Sequence, residues 1–319
     1  MQKNLVKESE SAIDKAVGFL KNNKLVSIKA ETVYGVACDP SSIIAIKKLY
    51  DLKKRPSYNP LIIHMNSLDM ASKFAEFNND AEKIAQNFWP GPLTLILPKK
   101  KNNIINDFAI SGLDTIAVRI PDSEVFLKIL NLFNKPIAAP SANQSGYISS
   151  TKAEHVIDSF GYNIDLVLDS GNCELGIEST IIDLTTKPYF IRRPGMIDSN
   201  EITEKTSIVF ETPKIDNDLS KISSPGQLKK HYSPHTPLKL NINKPRKDDA
   251  FLFFGNENKI SHNPSLNLSP KGDLIEAACN LFDFLRKLDK LKMKRIAVSP
   301  IPYSGIGKTI NERLTRASF

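Results

Sequence analysis

Apolar side chains at Ala12, Ile13, Ala16, Val17 and Leu20 recur at the three-and-four spacing of one helix face, which predicts an amphipathic helix over 11–22. LVSIKA at 25–30 predicts a strand. Ile43, Ile46, Leu49 and Tyr50 predict a second helix, with Ser41 or Ser42 as its N-cap. PLIIHM at 60–65 is strand-like, and helical patterns follow around 67–77 and 79–88. PLTLILP (92–98) and TIAVRIP (115–121) predict further strands, 123–132 a helix, and KPIAAPSAN a strand that stops in a turn. TKAE at 151–154 has the form of a capping box before a helix carrying Val156, Ile157 and Phe160. DLVLD (165–169), STIIDL (179–184) and YFIRRPG (189–195) complete a set in which strands and helices are mixed, the pattern of one α/β domain.

The periodicity fades from residue 198 to 237, where Ser, Thr, Lys and Pro dominate, and this reads as a linker. Beyond it LKLNI, AFLFFG and RIAVS predict strands, and 273–290 and 305–318 predict helices. The expected division is a domain at 1–206, a linker at 207–237 and a small α/β domain at 238–319.

Composition narrows the function classes. Apolar residues make up 41% and charged residues 24%, ordinary globular values. Only three cysteines occur and none forms a CxxC pair, so a disulfide framework is not expected. No secretory h-region and no run of about 18 apolar residues is seen, which predicts a soluble cytoplasmic protein without a membrane partner. The net charge of +8 suits an anionic ligand or weak RNA affinity.

Two motifs are lures. YSGIGKT (303–309) resembles a phosphate loop, but Pro302 stands where its first glycine belongs. His231 and His235 form HxxxH, but Pro234 and Pro237 interrupt the run. Other segments point to an anion. Lys53-Lys54-Arg55-Pro56 puts positive charge at the mouth of the 60–65 strand. APSANQSG (139–146) and GIESTIIDL (176–184) follow or precede strands with hydroxyl and amide side chains, and RRPG (192–195) places arginines at a strand end. Arg119 sits inside an apolar strand, where either a salt bridge or a bound carboxylate would satisfy it. Polar residues gathered at strand ends are where open α/β sheets bind ligands. An oxygen-rich anion is implied, and a nucleotide fits.

The ordered set ETVYG (31–35), KKRPSYNPL (53–61), WPGPLT (89–94), VRIP (118–121), APSANQSG, GIEST and RRPG resembles the YrdC-like threonylcarbamoyl-AMP synthases over residues 10–200. SPGQLKKHYSPHTP is similar to that family's interdomain linker, and GIGKTINERLTRAS to the end of its second domain. The resemblance implies a twisted mixed α/β sheet with helices and a large concave basic pocket, followed by a small Rossmann-like C-terminal domain. It implies conversion of L-threonine, bicarbonate and ATP, with Mg²⁺, to L-threonylcarbamoyl-adenylate and pyrophosphate. The product would pass to a tRNA threonylcarbamoyl transferase, with weak tRNA binding by the chain itself. By the same resemblance Thr32, His64, Arg119, Ala139 and Ser179 match threonine-site positions. Lys53 and Arg55 match the pair that meets the ATP phosphates, and they are the catalytic candidates. Asn59, Thr115, Ser141, Asn143, Ser149, Arg193 and Tyr232 match further nucleotide positions. Lys29-Ala30 stands where the family has Pro-Thr, and Gln227 where it usually has methionine.

Two alternatives accompany this reading. One is a non-catalytic RNA-binding module, kept open by the basic runs KKKNN (99–103) and KPRK (244–247) but weakened because they are not interleaved with aromatics. The other is a carbamoyl transferase, which normally resides in a larger chain.

Overall fold

The structure, a computed structural model, describes residues 4–101, 104–211, 230–256 and 262–319. Gln227 and most of the stretch read as a linker lie outside the described residues. In chain order the elements are β1 (Leu5–Lys7), α1 (Glu10–Lys21), β2 (Val26–Lys29), β3 (Tyr34–Ala37), α2 (Ile43–Lys53), β4 (Ile62–His64), α3 (Leu68–Ala71) and α4 (Asn79–Phe88). There follow β5 (Leu93–Pro98), β6 (Thr115–Arg119), α5 (Glu124–Phe133), β7 (Ile137–Ala138), α6 (Ala153–Phe160), β8 (Leu166–Asp169), β9 (Thr180–Asp183), β10 (Tyr189–Arg193), α7 (Ser199–Thr206) and β11 (Phe210–Glu211). The last group is β12 (Leu238–Lys239), β13 (Asp249–Phe253), β14 (Ser265–Asn267), α8 (Leu274–Lys290), β15 (Arg295–Val298) and α9 (Gly307–Ala317).

Local chemistry accounts for the helix ends. Ser9 caps α1 by accepting from the Ala12 N–H at 3.2 Å, and Ser42 caps α2 by accepting from Ala45 at the same distance. Lys54 ends α2 in the left-handed conformation, φ 50°, which turns the chain toward β4. Asp273 caps α8 through Ile275 N–H at 2.7 Å.

Some elements differ from the sequence pattern. The helical pattern at 67–77 shrinks to the single turn α3, because Glu76 N–H donates to Pro98 O and Lys100 N–H to Phe74 O. The segment's backbone thus joins the end of β5 instead of continuing a helix. The capping box at 151–154 does not form. Lys152 takes the N-cap position, and the Thr151 N–H and hydroxyl face His155 Nδ1 at 3.3 and 3.4 Å. The aperiodic stretch after 198 contains α7, and β11 extends the sheet by pairing with β10. β1 and β14, each three residues long, and β3 were not predicted from the sequence pattern.

Three sheets organise the chain: β1-β8-β2-β3, the mixed β11-β10-β9-β5-β6-β4-β7, and β12-β15-β13-β14. The second is the centre of the N-terminal unit, with β5, β6 and β9 buried and apolar. The third has only parallel pairings and belongs to the C-terminal unit. Its core includes Ala277, Leu281, Phe282, Leu285 and Leu288 of α8. The other face of α8 is polar yet buried, because it docks on the N-terminal unit. Arg286 donates to the carbonyls of Ile148, Ser149 and His155 at 2.5, 3.2 and 3.3 Å, and Asp289 accepts from the Tyr147 hydroxyl at 2.7 Å. No helix among the described residues is long and apolar enough to cross a membrane.

Candidate active site

β4 spans the site and sets its scale. It pairs in parallel with β6, Ile62 opposite Ala117 and His64 opposite Arg119. From Pro60 to His64 the chain advances about 13 Å at ~3.3 Å per residue. The basic cluster lies at the start of this span and the histidine at its end.

At the end of β4 and β6, His64 and Arg119 are both buried. Arg119 donates through Nε to Gly91 O at 3.1 Å, through Nη1 to Thr32 Oγ1 at 3.1 Å, and through Nη2 to Glu31 Oε1 at 2.5 Å. Three of the five N–H donors of a guanidinium are thereby committed. His64 stacks on Phe126 with 4.9 Å between ring centres, and burial, aided by the Arg119 charge, holds its pKa down to about 3. The imidazole is therefore neutral at physiological pH. Ala139 is buried, bonded through its N–H to Ile62 O at 3.3 Å. Ser179 Oγ shares a 2.8 Å hydrogen bond with Thr94 Oγ1. Lys29, at the departure from the family pattern, forms a 2.6 Å ion pair with Glu174.

At the start of β4 the basic side chains are held by neutral oxygens. Lys53 Nζ donates to the carbonyls of Ser141 and, at 2.6 Å, of Asn143. Arg55 donates to Asn59 O at 2.9 Å, Asn59 Oδ1 at 2.7 Å and Pro60 O at 2.7 Å. Arg193 donates to Ser179 O at 2.9 Å and Ser179 Oγ at 3.1 Å. Among the described residues, none of these three cations has a carboxylate within ion-pair distance. Burial pushes the Lys53 pKa well below its ordinary value, with Arg55 adding to the effect, and brings Arg55 down to about 10. Burial also lowers Arg193. Buried positive charges held only by dipoles gain strongly from an arriving anion. Thr115 opens β6 toward the Pro60 end, but it makes none of the hydrogen bonds that knit the others together.

Ser149 donates to Glu178 Oε1, and Tyr232 is buried at φ 63° with its ring on Phe282 at 5.5 Å. Burial pushes the Tyr232 hydroxyl up to about 12. The adjacent His231 is also buried and is held well below its ordinary pKa, first by burial and then by the charges of Arg313, Arg55, Arg193 and Lys53. Four cations from three distant stretches of chain, 53–55, 193 and 313, therefore converge around this histidine.

Eight buried side-chain polar atoms among the described residues lack a hydrogen-bond partner, and five belong to Glu31, His64, Asn143, His231 and Tyr232. Buried polar atoms are normally satisfied, so their concentration here makes this region the candidate ligand site. Glu31, Glu178, His231 and Arg313 were not identified as site residues from the sequence. Glu31 and Glu178 lie inside the motifs ETVYG and GIEST, and Arg313 inside GIGKTINERLTRAS, a stretch whose resemblance singled out no residue.

No group of three or more His, Cys, Asp or Glu side chains among the described residues could hold a metal ion. Both oxygens of Glu178 are engaged, by Ser149 and Arg313, and Glu312 is bound by Arg313 and Arg316. In YSGIGKT the turn closes on itself: the Gly307 N–H donates to Ser304 O at 2.9 Å and the Lys308 N–H to Gly305 O at 3.1 Å, and a Cβ on Gly307 would lie 2.1 Å from Pro302 O.

A family model for Sua5, YciO and YrdC sequences, described as "Telomere recombination", matches residues 18–195. A second, described as the C-terminal domain of threonylcarbamoyl-AMP synthase, matches residues 197–318. The chain is 36% identical over 318 residues to the threonylcarbamoyl-AMP synthase of Pyrococcus abyssi, covering 95% of this chain and 93% of that protein. It is 31% identical over 325 residues to that of Bacillus subtilis, covering 97% and 94%. The crystal structure of P. abyssi Sua5 complexed with L-threonine is similar with a TM-score of 0.90 at 34% identity, covering 98% of this chain and 96% of that one.

Proposed function

We propose a reaction course for this chain from the premise that it belongs to the threonylcarbamoyl-AMP synthase family. It is a nucleotidyltransferase that converts L-threonine, bicarbonate and ATP to L-threonylcarbamoyl-adenylate and pyrophosphate, for the threonylcarbamoyladenosine modification of tRNA.

The observation that carries the site assignment is the contrast in how its cations are held. Lys53, Arg55 and Arg193 are fixed by carbonyl, amide and hydroxyl oxygens, so their charge is left for the triphosphate. Arg119, already paired with Glu31 and Thr32, retains two N–H donors, the number a threonine carboxylate takes in a fork. His64 presents a neutral ring with an unpaired Nδ1 at the same end. Thr32, Ala139 and Ser179 complete the threonine side; Asn59, Thr115, Ser141, Asn143, Ser149 and Tyr232 line the nucleotide side of a concave basic pocket.

The carbamate of threonine is short-lived in water, so buried walls protect it. Its oxygen attacks the α-phosphorus, the bond to the β-phosphate bridging oxygen breaks, and pyrophosphate leaves with the electron pair. The nucleophile is already anionic and needs no general base. Catalysis is then positional and electrostatic: Lys53 and Arg55 face the charge that grows on the leaving group, and each such donor is worth about 10²–10³ in rate. Mg²⁺ would enter with ATP as part of the substrate complex and would supply further charge stabilisation to the leaving pyrophosphate. The product goes to a separate tRNA threonylcarbamoyl transferase, and the reaction takes place in the cytoplasm.

The direct test is pyrophosphate release from ATP with L-threonine and bicarbonate supplied together or singly. Release that requires both supports the synthase. ATP binding without release, or RNA binding alone, would replace it with the binding-module reading, which no observation on the site favours.

A further inference from the structure

Arg313 lies on α9, the last helix of the C-terminal unit, yet it is buried against the N-terminal unit with 1% of its surface exposed. Its Nε donates to Glu178 Oε2 at 3.1 Å, and the other oxygen of that carboxylate accepts from the Ser149 hydroxyl. Its Nη2 donates to Pro194 O at 2.8 Å, one residue past Arg193. The guanidinium also covers the Tyr232 ring, 4.8 Å from its centre. A single side chain thus reaches three residues assigned to the nucleotide, each through one contact: Ser149 through Glu178, Arg193 through its neighbour, and Tyr232 directly. One helical turn earlier, on the same face of α9, Thr309 Oγ1 donates to Gly195 O at 3.0 Å. The successive carbonyls of Pro194 and Gly195, in the loop that follows β10, are therefore gripped from outside their own unit. The loop is pinned from the other side as well, because a Cβ on Gly195 would sit 2.2 Å from Thr180 N.

We infer that Arg313 is a positioning residue for the nucleotide end of the site, through which the C-terminal unit orders Ser149, Arg193 and Tyr232. Two carboxylates, Glu178 and Glu312, neutralise it. It therefore differs from Lys53, Arg55 and Arg193, and is not itself a phosphate ligand. The planar fork is the essential feature: a lysine at this position keeps the charge but cannot serve Glu178 and Pro194 together while lying flat on the tyrosine.

The inference rests on the synthase reading for the identity of the nucleotide, and the test separates the two. In the full chain, Arg313→Lys and Arg313→Met are compared with the unaltered protein and with Lys290→Ala. The last removes an ion pair to Asp158 elsewhere between the units. The expected result is ATP binding and KM for ATP weakened about tenfold in both Arg313 variants. KM for threonine should stay within twofold and the melting temperature of Arg313→Lys near that of the parent. Glu178→Gln should shift the same way by a smaller factor, and Lys290→Ala should shift neither constant. Equal changes in both KM values, or a lowered melting temperature with unchanged ATP affinity, would reduce Arg313 to an interface contact and overturn the inference. If the unaltered chain binds ATP but releases no pyrophosphate, the synthase reading fails, and the ratio of ATP affinities still decides the role of Arg313. If it binds no ATP, both fall.

Discussion

The two ends of the proposed site, one assigned above to threonine and the other to the nucleotide, are built in different ways. At the threonine end, His64 and Arg119 stand opposite each other on adjacent parallel strands, and Glu31 and Thr32 complete the cluster. At the nucleotide end, Lys53 comes from the end of α2, Arg55 from the turn before β4, Arg193 from the end of β10, Tyr232 from the joining segment and Arg313 from α9. The first end lies within the N-terminal unit, where the salt bridge from Arg119 on β6 to Glu31, in the turn between β2 and β3, ties its two sheets together. The second combines Lys53, Arg55 and Arg193, held by oxygens of the N-terminal unit, with Tyr232 and Arg313 contributed from beyond it. The contrast teaches that one end is neutralised by a carboxylate inside the N-terminal unit, whereas the cations at the other are left to neutral oxygens and are bordered by groups from beyond that unit.

The largest expected effect would break the threonine end. Arg119→Met leaves the buried Glu31 carboxylate without its partner, which should destabilise the chain by about 3–5 kcal/mol and abolish threonine-dependent pyrophosphate release. Adding Glu31→Gln should recover much of the melting temperature and none of the activity; recovery of both would deny Arg119 its carboxylate-binding role.

Lys53→Met sharpens the other side of the comparison. Turnover should fall about 10²–10³-fold with KM for threonine unchanged. Stability should hold or rise, since a buried cation without a carboxylate is replaced by an apolar side chain of similar length. A drop in melting temperature with normal turnover would show that Lys53 serves the fold alone.

Acid should affect the two ends alike, through histidines kept neutral by burial. His64 has a folded pKa lowered to about 3 and His231 is also held low, so below the ordinary histidine pKa the unfolded chain binds more protons. Stability is therefore full above pH ~6.5 and is lost as pH falls, by up to about 1.4 kcal/mol per pH unit for His64. Thermal melting between pH 7 and 5 reads this directly. His64→Gln should flatten part of the slope; an unchanged slope would mean that His64 does not titrate with unfolding.

The smallest effect concerns how α2 presents Lys53. Removing its cap with Ser42→Ala should cost about 1 kcal/mol. The melting temperature should fall slightly while KM for threonine stays constant.

Much of the fold could be read from periodicity, because α1, α4, α5 and α8 each bury an apolar face. Short elements were less legible: three residues such as Leu5–Lys7 or Ser265–Asn267 carry too little pattern to distinguish a strand from a loop. Helix α7 was missed because its polar sequence buries little beyond Ile202 and Thr206. At the site, the residues named in motifs beside strands were legible, since a basic or hydroxyl side chain next to an apolar run is unusual. Arg313 was not, because a helix that buries an arginine against another unit has the same spacing as one that exposes it.

The sequence by itself determined the α/β class, the order of motifs, the place of the basic cluster before β4 and the likeness to an adenylate-forming family. Only the tertiary structure decided which charges are neutralised. Arg119 and Arg313 meet carboxylates, while Lys53, Arg55 and Arg193 meet none among the described residues. The physical reason is that pairing depends on distances of a few ångströms between segments as far apart as Glu178 and Arg313. One-dimensional spacing contains no such distances, and docking of the C-terminal unit creates them.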